Sequence, residues 1–339
     1  MGVARADLLS GTSFGGKIYI DGSNIFQKRD GVDTDAKGFG FDIKRFYFSA
    51  THKFDDTWSV NLTTDFKYDS SAGKSNLFVK KAFAHGNFYP LFKLRAGSAD
   101  MPWIPYVEHL YGFRYVEKTI LDRFGLANSA DVGLHALGKQ GSIDYQASIV
   151  NGASYSNVTG RSVRPDLSLR VGVHPLEGFT IAGGVYHGKR GQEKGGSNAP
   201  TNTQTHYDAV VAYVGHGLRL GGEAFIENNP IKTTQPDGAT TNAILAPMGM
   251  PLAKDRATGY SLWSSYQVLQ PLTVFVRFDH ARLSKAVDPS LRDTYFNVGA
   301  QYAVRKSILV SLVYKYERLK DNTHRLQTNE IGVFGQIKF

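Results

Sequence analysis

The stretch Thr57-Trp-Ser-Val-Asn-Leu-Thr-Thr-Asp-Phe-Lys-Tyr68 sorts its residues into two interleaved sets. One set reads Trp58, Val60, Leu62, Thr64, Phe66 and Tyr68; the other reads Ser59, Asn61, Thr63, Asp65 and Lys67. Successive side chains of a strand point to opposite faces, so this segment is a strand with one oily face and one wet face. A soluble sandwich strand carries the same pattern, but its apolar face needs a core to pack on. The alternation returns in Leu167, Leu169, Val171 and Val173 against Asp166, Ser168 and Arg170. It returns in Leu218, Leu220, Ala224 and Ile226 against Arg219, Glu223 and Glu227, and in Leu272, Val274, Val276 and Phe278 against Thr273, Arg277 and Asp279. It closes the chain with Ile331, Val333, Ile337 and Phe339 against Glu330, Gln336 and Lys338.

Working outward with the same rule gives about 16 strands: 17–27, 39–50, 57–68, 76–85, 91–98, 129–138, 142–151, 165–174, 179–188, 205–214, 218–228, 257–268, 271–284, 294–304, 307–319 and 327–339. The gaps alternate in length. Tight turns are expected at Lys53-Phe-Asp-Asp56, Gly86-Asn87, Gly138-Lys139, Pro175-Leu-Glu-Gly178, Gly215-His-Gly217, Gln270-Pro271 and Arg305-Lys306. Longer connections fall at 28–38, 69–75, 99–128, 152–164, 189–204, 229–256, 285–293 and 320–326. Short turns at one end and long polar loops at the other suit a meander threaded through a membrane from one side. A Greek-key sandwich has no reason to keep that rhythm.

Composition agrees. The 339 residues hold 39 Lys and Arg against 30 Asp and Glu, a net charge of +9, and no cysteine. Disulfides and thiolate metal sites are therefore excluded. Hydrophobic residues make up 42% of the chain, yet no apolar run approaches the roughly 18 residues of a membrane-crossing helix. Tyr and Phe number 18 and 21, enough for aromatic belts at the rims of an oily wall. Ala4-Arg5-Ala6 has the look of a signal-cleavage remnant, which would make this a processed form. Phe339 ends the last strand at an outward position, a feature resembling the signal read by barrel-assembly machinery. Gly191 to Thr203 and Pro230 to Thr241 read as surface loops, so residues 1–339 form one domain.

Physics then fixes the closed form. An unpaired backbone group in hydrocarbon costs several kcal/mol, so a sheet crosses a membrane only without edges. The fold expected is all-β: a transmembrane antiparallel up-and-down barrel of about 16 strands, wide enough to hold water. The segment 99–128 is more apolar and aromatic than the other long loops, with Trp103, Ile104, Tyr106, Leu110, Tyr111, Phe113, Tyr115 and Ile120. It is expected to pack on the inside wall as an inward-folded third extracellular loop, presenting Arg114, Lys118 and Arg123 to the channel; packing across a neighbouring barrel in a trimer is the alternative.

By alternation Lys17, Lys93, Arg95, Arg170, Arg219 and Arg277 also face the lumen, and Arg45 joins them because Phe46 and Phe48 claim the lipid side. Lys44 and the Lys80-Lys81 pair stay open, since one residue of each adjacent pair must face the other way. Asp21, Asp65, Glu223, Asp279 and Glu330 share the lumen and offset part of the field. A low-dielectric wall focuses an excess of cations, which favours anions in the pore. The expected function is an outer-membrane diffusion channel for small anionic solutes, without cofactor or metal, set in outer-membrane lipid and lipopolysaccharide.

Several pieces resemble the phosphate-selective porin O/P family. Phe48-Ser-Ala-Thr-His-Lys-Phe-Asp-Asp-Thr-Trp-Ser-Val-Asn-Leu-Thr-Thr-Asp-Phe66 looks like its early hairpin, with an aspartate-tryptophan corner. Leu94-Arg-Ala-Gly97, Arg114-Tyr-Val-Glu-Lys118 and Ala130-Asp-Val-Gly-Leu-His135 are similar to its fifth strand, constriction loop and sixth strand. Val274-Phe-Val-Arg-Phe-Asp279, Asn297-Val-Gly-Ala-Gln-Tyr302 and Gln336-Ile-Lys-Phe339 are similar to its last hairpins. The resemblance implies a 16-stranded homotrimeric porin that passes phosphate or related oxyanions along arginine and lysine ladders.

Two other classes compete with this reading. Barrel enzymes cluster an acid, His and Ser at one rim, whereas His85, His109, His135, His174, His187, His206 and His280 scatter over strands and loops, so no enzyme is expected. A sleeve holding a periplasmic lipoprotein or a cytochrome inside the barrel stays open. Nucleic acid is not expected as a partner, because the basic residues are spread over alternating strands. Asn61-Leu-Thr63 and Asn157-Val-Thr159 match a glycosylation pattern that means little in a bacterial barrel.

Overall fold

The computed structural model describes residues 10–69, 74–157, 163–191, 202–230, 236–237 and 254–339. Ala4-Arg5-Ala6, Thr159, most of the Gly191–Thr203 and Pro230–Thr241 stretches, and the side chains of Lys67 and Tyr68 lie outside the described residues.

Sixteen long strands follow one another in the chain. They are β1 (Thr12–Arg29), β2 (Gly38–Lys53), β3 (Trp58–Asp69), β4 (Lys74–Tyr89), β5 (Phe92–Asp100), β6 (Ala130–Gln140), β7 (Ile143–Val150) and β8 (Asp166–Val173). Then come β9 (Phe179–Gly188), β10 (Gln204–Gly215), β11 (Leu218–Asn228), β12 (Arg256–Leu269), β13 (Leu272–Arg282), β14 (Arg292–Arg305), β15 (Ile308–Lys320) and β16 (Arg325–Lys338). A two-residue strand, Val32–Asp33, extends the tip of the first hairpin. Each long strand pairs antiparallel with its neighbours in sequence, and β1 pairs with β16 from Lys17↔Lys338 to Arg29↔Leu326. The seam continues to the last residue, where Gly16 N–H donates to the Phe339 carbonyl at 2.8 Å. The sheet is a closed barrel with no free edge.

Its two faces are inverted relative to a soluble protein. Along β8, Leu167, Leu169 and Val171 are 50%, 42% and 41% exposed, while Asp166, Ser168 and Arg170 are 1%, 9% and 6% exposed. In β3 Trp58, Val60 and Leu62 face outward, and Thr63 and Asp65 are buried. In a closed barrel the buried row is the inner one. An outer surface this apolar is matched by hydrocarbon, and Phe14, Trp58, Phe92, Tyr266, Tyr302 and Phe339 stand exposed toward the short-turn end as a girdle. Among the described residues no helix is long and apolar enough to cross a membrane; the strands do that work.

Two turns differ from expectation. Gly86-Asn87 lies inside β4, and the hairpin closes at Pro90-Leu91 instead. Proline lacks an N–H and fixes φ, so it belongs in the turn rather than the ladder. Gly138-Lys139 lies inside β6, and the chain reverses at Gly141-Ser142, where Gly141 has φ 57°. Glycine adopts that left-handed conformation without a Cβ clash.

The larger correction concerns the paired cations. Between β1 and β2 the register steps from Tyr19↔Arg45 to Ile20↔Ile43, leaving Lys44 as an extra residue. Between β3 and β4 it steps from Thr63↔Lys81 to Thr64↔Val79, leaving Lys80 extra. A β-bulge sets two residues against one, so the strict alternation that required one of each pair to face outward is broken. Lys44 and Arg45, and likewise Lys80 and Lys81, all turn to the inner face.

Candidate functional site

The connection between β5 and β6 is the longest with its residues described throughout. It carries two short helices, α1 (Ile104–Tyr111) and α2 (Ile120–Arg123). Pro105 sits in the first turn of α1, where its fixed φ suits a helix start and no hydrogen bond is lost. Gly112, at φ 84°, ends the helix, and its N–H donates to the Glu108 carbonyl at 2.9 Å.

One side of this segment is dry. Val107, Leu110, Tyr111, Phe113, Tyr115, Ile120 and Leu121 are buried in one cluster with Phe225, Trp263 and Phe275. The ring of Phe113 stacks on Phe275 with centroids 4.3 Å apart, and Tyr111 meets Trp263 edge-on at 5.9 Å. Phe225, Trp263 and Phe275 all occupy the inner, otherwise polar phase of β11, β12 and β13. Alternation alone does not single them out, but the residues carry a signal: a large aromatic on the wet phase of a strand needs a dry partner.

Polar contacts fix the segment at points around the wall. Trp103 Nε1 donates to Glu223 Oε1 at 2.7 Å, and its indole lies over Gly184. A Cβ built on Gly184 would stand 2.7 Å from Trp103 Cε3. Gly184→Val is therefore expected to displace the indole and cost about 1–3 kcal/mol, as overpacking does; a shifted tryptophan emission and a lower unfolding midpoint would report it. Tyr115 Oη lies 2.6 Å from Ser311 Oγ and donates to Gln301 Oε1 at 2.9 Å. Glu117 Oε2 lies 3.3 Å from Lys315 Nζ. Burial alone would push the Glu117 carboxyl up, but Lys315, Arg123 and Lys44 together hold it well below the usual carboxylate range. Beside α1, at the short-turn end, a cavity of about 670 Å³ is lined by Tyr106, His109, His174, Thr180 and Arg219 among others.

The sequence-predicted cations divide into two groups. Arg123, Arg170 and Arg277 lie between the segment and the wall. Arg123 donates to Asp279 at 2.7 Å, Asp293 at 3.3 Å and Glu317 at 2.7 Å. Arg277 grips Asp279 with Nε and Nη2 at 2.8 and 2.7 Å and reaches the Lys118 carbonyl at 2.5 Å. Arg170 bonds Asp144 at 2.5 Å and the Pro102 carbonyl at 3.1 Å, with its guanidinium 3.8 Å from the Tyr106 ring. These three side chains are almost wholly buried and engaged, rather than standing open to the lumen. Arg219 caps α1, donating to the carbonyls of His109 and Leu110 at 3.1 and 3.0 Å; a cation there complements the helix dipole.

The second group keeps contact with solvent. Arg45 shares Asp65 with Lys80, at 3.3 and 3.6 Å. Arg114 lies between Glu108 at 2.5 Å and Asp122 at 3.1 Å on its own segment. Lys17, on the row of buried Tyr19 and Asp21, is exposed; Lys93, Arg95 and Lys118 are partly so. Among the described residues, Lys17, Lys93, Arg95 and Lys118 have no carboxylate in ion-pair contact. Burial lowers the Lys118 ammonium from its ordinary value, with Arg45 and Arg114 acting in the same sense and Asp122 against it. Among the described residues no group of His, Asp or Glu side chains converges as a metal site.

No protein-family model and no curated protein matches the chain. Solved structures do. The chain is similar to an anion-selective porin from Comamonas acidovorans, at 12% identity and TM-score 0.68 over 97% of this chain and 99% of that one. It is similar to the outer membrane channel DcaP of Acinetobacter baumannii, at 12% identity and TM-score 0.69 over 97% of each chain. A third is Salmonella typhi OmpF in complex with daunomycin, at 12% identity and TM-score 0.68 over 97% of each. At this identity the likeness establishes the fold: the closed 16-stranded barrel of bacterial outer-membrane porins.

Proposed function

We propose that this chain is a porin of a bacterial outer membrane, a water-filled diffusion channel that favours small anionic solutes. The observation that carries the reading is the charge on the inner face. Arg123, Arg170 and Arg277 are matched to carboxylates, while Lys17, Lys93, Arg95 and Lys118 stand without one among the described residues. A cation excess in a narrow, low-dielectric tube attracts anions and repels cations. The segment between β5 and β6 is the constriction, its dry side glued to β11–β13 and its other side carrying Arg114 and Lys118 toward Arg45. Arg123, Arg170 and Arg277 brace it, and the ion path runs past Lys17, Arg45, Lys93, Arg95, Arg114 and Lys118. Phosphate or another oxyanion is the solute that the resemblance to the O/P family suggests, and a homotrimer is the assembly. The anion-selective porin of Comamonas acidovorans, sharing the fold, is in keeping with this.

Purified protein in a planar bilayer tests the reading. Discrete conductance steps are expected, with a zero-current potential in a KCl gradient that favours chloride over potassium. A cation-favouring potential would overturn the anion preference. A heat-modifiable barrel without conductance would favour the sleeve reading, and lipid hydrolysis without conductance a barrel enzyme.

A further inference from the structure

We propose that the two β-bulges, at Lys44-Arg45 in β2 and Lys80-Lys81 in β4, set the charge selectivity of the channel. The inference rests on the diffusion-channel reading and names the residues that tune it. In an unbroken ladder one cation of each pair would face hydrocarbon and the inner wall would keep its carboxylates with fewer partners. The bulges change both conditions. Lys44 Nζ lies 2.7 Å from Asp21 Oδ2, a carboxylate buried on the inner face. Lys80 Nζ lies 3.6 Å from Asp65 Oδ2 and 3.3 Å from Tyr47 Oη, between the rings of Tyr47 and Tyr155 at 4.8 and 5.0 Å.

Asp65 is fully buried, and Arg45 also reaches it at 3.3 Å. One carboxylate thus faces two cations, and the surplus charge remains with Arg45, the more exposed of the two. Arg45, Arg114 and Lys118 lie close enough to feel one another's charge. Like charges gathered across a gap are costly unless an anion comes between them. Lys44 and Lys80 are positioning residues: they neutralise Asp21 and Asp65, as Glu108 and Asp122 hold Arg114, and leave Arg45 and Lys118 as the surplus cations.

The test uses the full chain in planar bilayers, with KCl as the probe and Lys44→Gln, Lys80→Gln and the double variant. The chloride-to-potassium permeability ratio is expected to fall about threefold for each charge removed, the scale for a unit charge several ångströms away in wet surroundings. Conductance steps should persist, Lys80→Arg should restore the parent ratio, and Lys37→Gln in the first long loop should leave it unchanged. Deleting Lys80, which restores the regular ladder, should match Lys80→Gln. A parent that favours chloride and a double variant with the same ratio would overturn the inference. A parent without chloride preference would instead refute the anion reading beneath it.

Discussion

Replacing Arg123 by Met is expected to destabilise the barrel by about 3–5 kcal/mol, the scale for stripping one partner from a buried ion pair. Three carboxylates meet this guanidinium, and they would not suffer equally. Asp279 keeps two hydrogen bonds from Arg277, and the Glu317 side chain is 44% exposed and stays hydrated. Asp293 is fully buried, its Oδ1 takes a hydrogen bond from Arg123, and its Oδ2 has no partner. Most of the loss should therefore trace to Asp293, and Asp293→Asn in the Arg123→Met background should recover a good part of it. The midpoint of the folded-to-heated band shift on gels, measured for both single variants and the double, gives the coupling directly. Because α2 ends on Arg123, its loss should also loosen the segment and make single-channel current noisier. Additive effects would remove the brace from the account.

That brace marks the boundary of what the residue order reveals. The alternation of Leu167, Leu169 and Val171 with Asp166, Ser168 and Arg170 is local, and it gave the strand and the direction of every side chain in it. The aromatic content of residues 103–120 likewise announced a segment that packs. Its partners are another matter. Asp279, Asp293 and Glu317 lie on β13, β14 and β15, far along the chain from Arg123, and only barrel closure brings them together. Arg277 is expected in the lumen from its phase; it lies on the buried row of β13, and the apolar segment laid over it removes it from solvent.

The bulges were hidden for a different reason. A period of two assumes that every residue opposes one partner, and Lys44 and Lys80 are the residues for which this fails. Two adjacent cations in an alternating strand carry the clue, because neither belongs in hydrocarbon. The turn lies beyond Gly86-Asn87 for a simpler reason: Pro90 has no N–H to give a ladder, whereas Gly86 and Asn87 can both pair. Local rules thus place strands and faces well, and lose accuracy where the wall departs from regularity. Those departures include the bulges and the aromatics of the wet phase, on which the segment between β5 and β6 packs.

The last expectation separates membrane from water as the solvent of the outer face. Leu169 is 42% exposed at mid-strand in β8, opposite Ala147 and Val185. On a soluble protein, Leu→Arg at such a surface site changes stability by no more than about 0.5 kcal/mol, since water already wets it. In a bilayer the same change places a guanidinium near the hydrocarbon midplane and should cost about 2–4 kcal/mol. The cost must also depend on depth. Val173, the last residue of β8 beside the short turn, is similarly exposed, yet Val173→Arg can reach the interface and should cost only about 0–1 kcal/mol. Reversible denaturant titrations of the protein folded into lipid vesicles, run for both variants, measure the difference. Equal and negligible costs at Leu169 and Val173 would mean that water covers this face, and the porin reading would fall with its membrane.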